Sequence, residues 1–245
     1  MAAILETQNL TKRFGGLVAV NRVNFALGEG ELRAVIGPNG AGKTTFFNML
    51  AGNIEPTEGT ILFKGQDISN LSSHHISHLG VGRSFQITNI FPDLTVFENV
   101  RISAQSRKTT YNWWTFGGGH WDLNEKTDSI LEYIGLQDKR DEPAGTLAHG
   151  EQRYLEIGIT LATDPELLLL DEPTAGMSPA ETIQTAELIQ KVAADHSVVL
   201  VEHDMEVVMG ISEKITVFHN GFVLATGTPD EVRANDEVQR VYLRE

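Results

Sequence analysis

An α/β fold built on a parallel sheet is predicted for this 245-residue chain by three observations. GPNGAGKTT (37–45) joins an apolar run, ELRAVI (31–36), to a helical run, FFNMLAG (46–52). ELLLLDE (166–172) and SVVLVEH (197–203) are short aliphatic runs with acids or a histidine at their ends, as buried strands show where a doubly wound sheet presents ligand groups. Around these runs, helical and strand periods alternate.

In 37–45, Gly37, Gly42, Lys43 and Thr44 stand at the G-x-x-x-x-G-K-[ST] spacing. Gly37, Gly40 and Gly42 let the backbone turn its N–H groups inward around an anion without Cβ clashes. The helix N-terminus behind them adds partial positive charge. The loop residues Gly37, Pro38, Asn39, Gly40, Ala41, Gly42, Lys43, Thr44 and Thr45 are therefore expected to hold a nucleotide's phosphates. Lys43 is expected to reach the β- and γ-phosphates, and Thr44 to ligate Mg²⁺. A ligand-free glycine turn would not need the complete spacing between a strand and a helix.

The remaining elements follow in order. Residues 4–27 read as short strands with 11–16 as the turn between them, and 59–68 reads as a hairpin around Lys64–Gly65. SSHHISHLG (72–80) reads as a short helix with a Ser cap and a glycine stop. VGRSFQ (81–86) reads as a strand leading to Gln86. Helices are expected over 94–104, 122–136 and 151–162, with 105–121 irregular. Then come a strand at 166–172, a helix over 179–196 with Pro at its first position, and a strand at 197–203. A further helix follows, then a hairpin over 215–227 turning at Asn220–Gly221, and a helical end over 228–243. The expected division is one nucleotide-binding domain, with a core and β-subdomain at about 1–86 and 163–245 and a helical subdomain at about 87–162.

Composition narrows the function. There is no cysteine, which excludes disulfides, thiolate nucleophiles and zinc-thiolate sites. Net charge is −14, from 19 basic and 33 acidic residues, which argues against a nucleic-acid partner. No secretory signal is expected from MAAILETQNL, and the aliphatic run LLLL (167–170) is far short of a membrane span.

Further residues complete a site. Asp171 would hold Mg²⁺ through water, and Glu172 would act as general base on the attacking water. His203, at the end of the neighbouring strand, would bond the γ-phosphate and orient that water. Gln86 would give a side-chain oxygen to Mg²⁺, and Phe14 would either stack on adenine or serve as an ordinary core residue. LAHGE, comprising Leu147, Ala148, His149, Gly150 and Glu151, places a glycine at a helix start and forms a second anion-site candidate. His74, His75 and His78 read as a solvated helix face, with metal ligation by the His74/His78 pair the less favoured alternative. Trp113, Trp114 and Trp121 read either as a partner surface or as packing of the helical lobe.

Taken in order, the phosphate loop, glutamine, glycine motif, Asp-Glu strand and strand-end histidine resemble the nucleotide-binding subunits of ABC transporters, over essentially the whole chain. GRSFQ…NIFPDLTVFENV, LEIGITLATDPELLLLDEP and VEHDMEVVMGISEKI are similar to ATP-binding subunits for branched-chain amino acid uptake. The resemblance implies a P-loop core of ABC type with an antiparallel β-subdomain and an inserted helical subdomain. It implies ATP and Mg²⁺ as ligands, and head-to-tail pairing in which ATP lies between one subunit's phosphate loop and the other's glycine motif. It also implies two membrane-spanning permease subunits, a solute-binding protein, and a location on the cytoplasmic face of the cell membrane. Lipid or polysaccharide export and cluster assembly use the same type of ATPase and stay open as alternatives. Two departures stand out. LAHGE replaces the usual LSGGQ, with Ala148 for the serine and His149 for the first glycine, and Ser178 stands where an aspartate is usual. A heterodimer with unequal sites is the expected consequence. Ile90, Phe91, Leu94 and Phe97 are expected either in the core of the helical lobe or lining a groove for a permease helix.

Overall fold

The structure, a computed structural model, describes residues 3–84, 90–106 and 120–243. Gln86, Trp113 and Trp114 therefore lie outside the described residues.

Strands β1 (Ala3–Phe14) and β2 (Leu17–Gly28) pair antiparallel through a turn at Gly15–Gly16. The turn is shorter than the sequence suggests. Lys12, Arg13 and Phe14 stay in β1 because they pair with Val20, Val18 and Leu17. Next come β3 (Leu32–Ile36) and α1 (Lys43–Leu50), then β4 (Glu58–Phe63) and β5 (Gln66–Asp67), which meet at Lys64–Gly65. Helix α2 (Ser73–His78) leads into β6 (Val81–Arg83).

A helical stretch follows, with α3 (Val96–Gln105), α4 (His120–Tyr133) and α5 (His149–Leu161). α3 opens with a complete capping box, in which Thr95 accepts from the Glu98 N–H and Glu98 accepts from the Thr95 N–H. The chain then alternates β7 (Leu167–Asp171), α6 (Pro179–Ala193), β8 (Ser197–Val201) and α7 (Met205–Ile211). The hairpin β9 (Lys214–His219) and β10 (Phe222–Gly227) turns at Asn220–Gly221.

The C-terminal helical segment is not continuous, as 228–243 suggested. α8 (Pro229–Ala234) stops at Asn235, which has extended backbone and whose side chain caps a new turn, α9 (Asp236–Val238). An asparagine that competes for backbone donors ends one helix and starts the next.

The strands form two sheets. One is antiparallel, in the order β2-β1-β4-β5; the other is six-stranded, in the order β10-β9-β3-β8-β7-β6. In the second, β6, β7, β8, β3 and β9 are parallel, and β10 closes the edge antiparallel. Side-chain alternation along buried strands feeds two layers. Leu167, Leu169, Val199 and Val201 face a core shared with α1 and the antiparallel sheet, centred on Phe46 and Phe47. Leu168, Leu170, Val198 and Leu200 face the other way, into a core filled by α3, α4, α5 and α6. A third cluster, with Ala34, Ile36, Val217, Val232 and Val238, secures the C-terminal segment under β3. Asp171 continues the Leu167–Leu169 face of β7, so the strand's period of two carries its carboxylate to the α1 side of the sheet.

Candidate nucleotide site

The loop between β3 and α1 is shaped by close backbone approaches. Gly37 has φ 148°, and a Cβ there would lie 2.2 Å from the Phe218 carbonyl oxygen. Gly42 caps α1 with φ 102°, and a Cβ there would lie 2.4 Å from the Ala19 carbonyl oxygen. Only glycine fits at either position. The Asn220–Gly221 turn holds the loop from outside. Gly221 N–H donates to the Ala41 carbonyl at 2.9 Å, and Asn21 N–H donates to the Gly221 carbonyl at 2.8 Å.

These contacts leave a cavity of about 480 Å³ over the N-terminus of α1. Asn39 to Thr45 form its floor, Phe14, Leu17, Val18 and Ala19 one wall, Asn220 and Gly221 another, and Glu172 with His203 the far rim. Phe14 is 49% exposed, so it is not a core residue, and its ring faces the cavity from the end of β1. Gly37 and Pro38 do not line the cavity. Their carbonyls instead accept from Lys43 Nζ at 2.6 and 3.1 Å. Burial pulls the Lys43 ammonium below the usual lysine range, while Glu172 and then Asp171 push it back up.

At the rim, His203 Nε2 lies 2.8 Å from Glu172 Oε1. Glu172 follows β7 with φ 49°, a left-handed conformation that costs a non-glycine residue roughly 1–2 kcal/mol. Its N–H donates to the Val201 carbonyl of β8 at 2.8 Å, which turns the side chain out of the sheet toward the cavity. Backbone strain of this kind collects at functional positions.

Asp171 is 1% exposed. Its Oδ2 accepts from Arg83 Nη2 at 3.2 Å, and Arg83 Nη1 donates to Asn48 Oδ1 of α1 at 2.7 Å. Asp171 Oδ1 is buried with no hydrogen-bond partner among the described residues. Burial pushes this carboxyl above the usual range, and Arg83 offsets part of the rise. An unpartnered carboxylate oxygen beneath a loop that offers the exposed Thr44 hydroxyl is a donor set that fits a hard divalent cation.

The second anion-site candidate stands apart, since residues 147–151 do not line the cavity. Helix α5 starts at His149, earlier than Glu151. Glu151 Oε2 accepts from the Ala148 N–H at 3.0 Å, so half of a capping box is built, but Ala148 has no hydroxyl for the other half. Among the described residues no cluster of three or more His, Asp or Glu could hold a metal ion. His74, His75 and His78 are exposed, and the His74 and His78 rings lie with centroids 4.3 Å apart and planes tilted by 53°.

Sequence reasoning missed Leu17, Val18, Ala19, Asn220 and Arg83. Leu17, Val18 and Ala19 carry no chemical signal by type, the Asn-Gly turn was visible only as a turn, and the partner of the Arg83 cation is set by the pairing of β6 with β7.

A strand–glycine loop–helix unit facing a strand-end Asp-Glu pair and a histidine defines a P-loop ATPase. The chain belongs to the ABC transporter family. The family model for ABC transporters matches residues 20–175, and a model described as branched-chain amino acid ATP-binding cassette transporter matches residues 223–243. The high-affinity branched-chain amino acid transport ATP-binding protein LivG of Escherichia coli (strain K12) is 42% identical over 250 residues, covering 99% of this chain and 98% of that protein. The lipopolysaccharide export system ATP-binding protein LptB of Haemophilus influenzae is 33% identical, covering 99% and 98%. Among solved structures, the ADP conformation of an ATP-binding cassette of an ABC transporter superposes with a TM-score of 0.89 at 29% identity, covering 100% of both chains. The chain is thus an ATP-hydrolysing subunit of ABC type, similar to ATP-binding subunits for branched-chain amino acid transport.

Proposed function

We propose that this chain energises uptake of branched-chain amino acids or a related small solute. It would act at the cytoplasmic face of the membrane, paired with a second ATPase subunit and two permease subunits that a solute-binding protein serves. The 42% identity to a branched-chain amino acid transport ATPase over nearly all of both chains carries this reading. The match at 223–243 favours it over lipid or polysaccharide export. Among the described residues no helix is long and apolar enough to cross a membrane.

In this reading ATP lies with its base on Phe14 and its phosphates over Asn39 to Thr45. Lys43 leaves the Gly37 and Pro38 carbonyls and donates to the β- and γ-phosphates. Glu172 takes a proton from the attacking water as the water oxygen bonds to the γ-phosphorus and the bond to the β-phosphate oxygen breaks. His203 bonds the Glu172 carboxylate and fixes its direction, keeping the water in line. Thr44, Asp171 and Gln86 would hold Mg²⁺, which supplies charge neutralisation on the phosphates when bound. Leu147 to Glu151 would close over the nucleotide of the partner subunit, not over this chain's own.

The test is co-purification and transport. This subunit is co-expressed with the permeases and ATPase encoded beside it, and leucine uptake into vesicles is followed with internal ATP. ATP-dependent leucine or isoleucine uptake supports the proposal. An assembled complex that hydrolyses ATP but moves lipid or polysaccharide, and no amino acid, overturns it.

A further inference from the structure

The residue just before His203 is Glu202, a carboxylate that is only 2% exposed. Its two oxygens meet four donors. Oε1 accepts from the Thr174 N–H at 3.0 Å and the Thr174 hydroxyl at 2.5 Å. Oε2 accepts from the His203 N–H at 2.7 Å and the Asp204 N–H at 3.3 Å. Thr174 lies two residues after Glu172, in the turn that the Ala175 N–H closes onto the Glu172 carbonyl at 3.2 Å. One buried side chain therefore ties the turn after β7 to the turn after β8, and those turns carry the two partners of the 2.8 Å Glu172–His203 contact.

A carboxylate suits this place and an amide does not. Four donors converge on it, and an ionised carboxylate is an acceptor at both oxygens. A glutamine would point an NH₂ group at backbone N–H groups on one side and leave buried donors unmatched. Tyr242 packs on the cluster that contains Ala34 and Ile36 of β3, and burial pushes its phenol above the usual range.

We propose that Glu202 is a positioning residue for ATP hydrolysis, holding the turn that carries Glu172 in register with the turn that carries His203. This rests on the roles given to Glu172 and His203 above. Its own groups do not reach the cavity, so it acts only through those two side chains.

The test is a double-mutant cycle in the assembled ATPase. Glu202→Gln is expected to lower kcat by roughly tenfold or more while the KM for ATP changes by less than about threefold. In a His203→Ala background the same substitution is expected to cost less than about twofold, because there is no longer a histidine side chain to keep in register with Glu172. Equal losses in both backgrounds, or an unchanged kcat in Glu202→Gln, overturn the proposal. Should Glu202→Gln fail to fold, Thr174→Val removes one donor and leaves the carboxylate in place. It is expected to show a smaller kcat loss with the same dependence on His203, and additive losses count against the clamp. The parent reading fails separately: normal turnover in His203→Ala removes the histidine's role. Lost turnover in His203→Ala with normal turnover in Glu202→Gln removes the clamp alone.

Discussion

His203 Nε2 and Glu172 Oε1 stand 2.8 Å apart across the ends of two adjacent parallel strands, with Glu172 held at φ 49°. The contact joins the proposed base to a group that can orient it. Glu172→Gln is expected to abolish turnover and keep ATP binding, because the amide keeps size and polarity but accepts no proton. Lys43→Ala is expected to weaken nucleotide binding itself. Hydrolysis and bound nucleotide are measured together, and near-normal hydrolysis in Glu172→Gln removes that residue from the base role.

Asp171 makes a prediction about pH. Burial raises its carboxyl pKa, with Arg83 offsetting part. The folded chain then keeps a proton that the unfolded chain has already lost. Stability contributed by this group is full below the ordinary carboxylate pKa and is lost as pH rises through the raised value. Nucleotide-free wild type should therefore lose melting temperature relative to Asp171→Asn across that window. A difference between the two that stays flat with pH would mean that Asp171 titrates normally.

Ala148 makes a prediction about pairing. Half of a capping box exists at the start of α5, since Glu151 accepts from the Ala148 N–H. Ala148→Ser adds the missing acceptor, and is expected to raise subunit stability by about 1 kcal/mol without nucleotide. In a pair of these subunits the hydroxyl would also reach the partner's γ-phosphate. A hydrogen bond to a charged group is worth roughly 1.5–3 kcal/mol, or about ten- to hundredfold in site closure. ATP-driven pairing should rise by that factor in Ala148→Ser, measured by sedimentation with the Glu172→Gln background to prevent hydrolysis. Full ATPase activity of the unmodified chain in a defined homodimer would count against the expected heterodimer.

What was legible in the sequence was whatever depends on local pattern. The phosphate loop, the aliphatic strands and their terminal Asp171, Glu172 and His203 all follow from spacing and periodicity. Strand length was not legible at Lys12–Arg13, because those residues are basic and their pairing with Val20 and Val18 of β2 keeps them extended. The Asn235 break was hidden because its cap competes with a helical period on both sides. Glu202 was unreadable as anything but an acid beside a histidine. Its four donors come from two turns that only the parallel pairing of β7 and β8 brings together.

Phe91 decides how this subunit would meet a permease. The sequence left Ile90, Phe91, Leu94 and Phe97 between core and groove, and the structure separates them. Phe97 packs on the helical core and lies under the Arg140 guanidinium at 3.7 Å, and Ile90 also packs on that core. Phe91 is 55% exposed. Its backbone is nevertheless pinned, with its N–H donating to Asn99 Oδ1 at 2.8 Å and its carbonyl accepting from Asn99 Nδ2 at 3.0 Å. An aromatic ring in solvent on a fixed backbone loses little entropy when a partner covers it, which is what an interface anchor requires. Phe91→Ala should then cost the isolated subunit less than about 0.5 kcal/mol, as exposed substitutions do, against about 3–5 kcal/mol for a core phenylalanine. Its melting temperature should fall by no more than about 2 °C, with ATP binding intact. Assembly with the permeases should fail or weaken, read by co-purification and by transport. Asn99→Ala is the contrasting variant, since it frees the Phe91 backbone and leaves buried groups unpaired, so it should lower both stability and assembly. A Phe91→Ala subunit that melts several degrees early places the ring in the core. One that assembles and transports normally removes Phe91 from the docking surface.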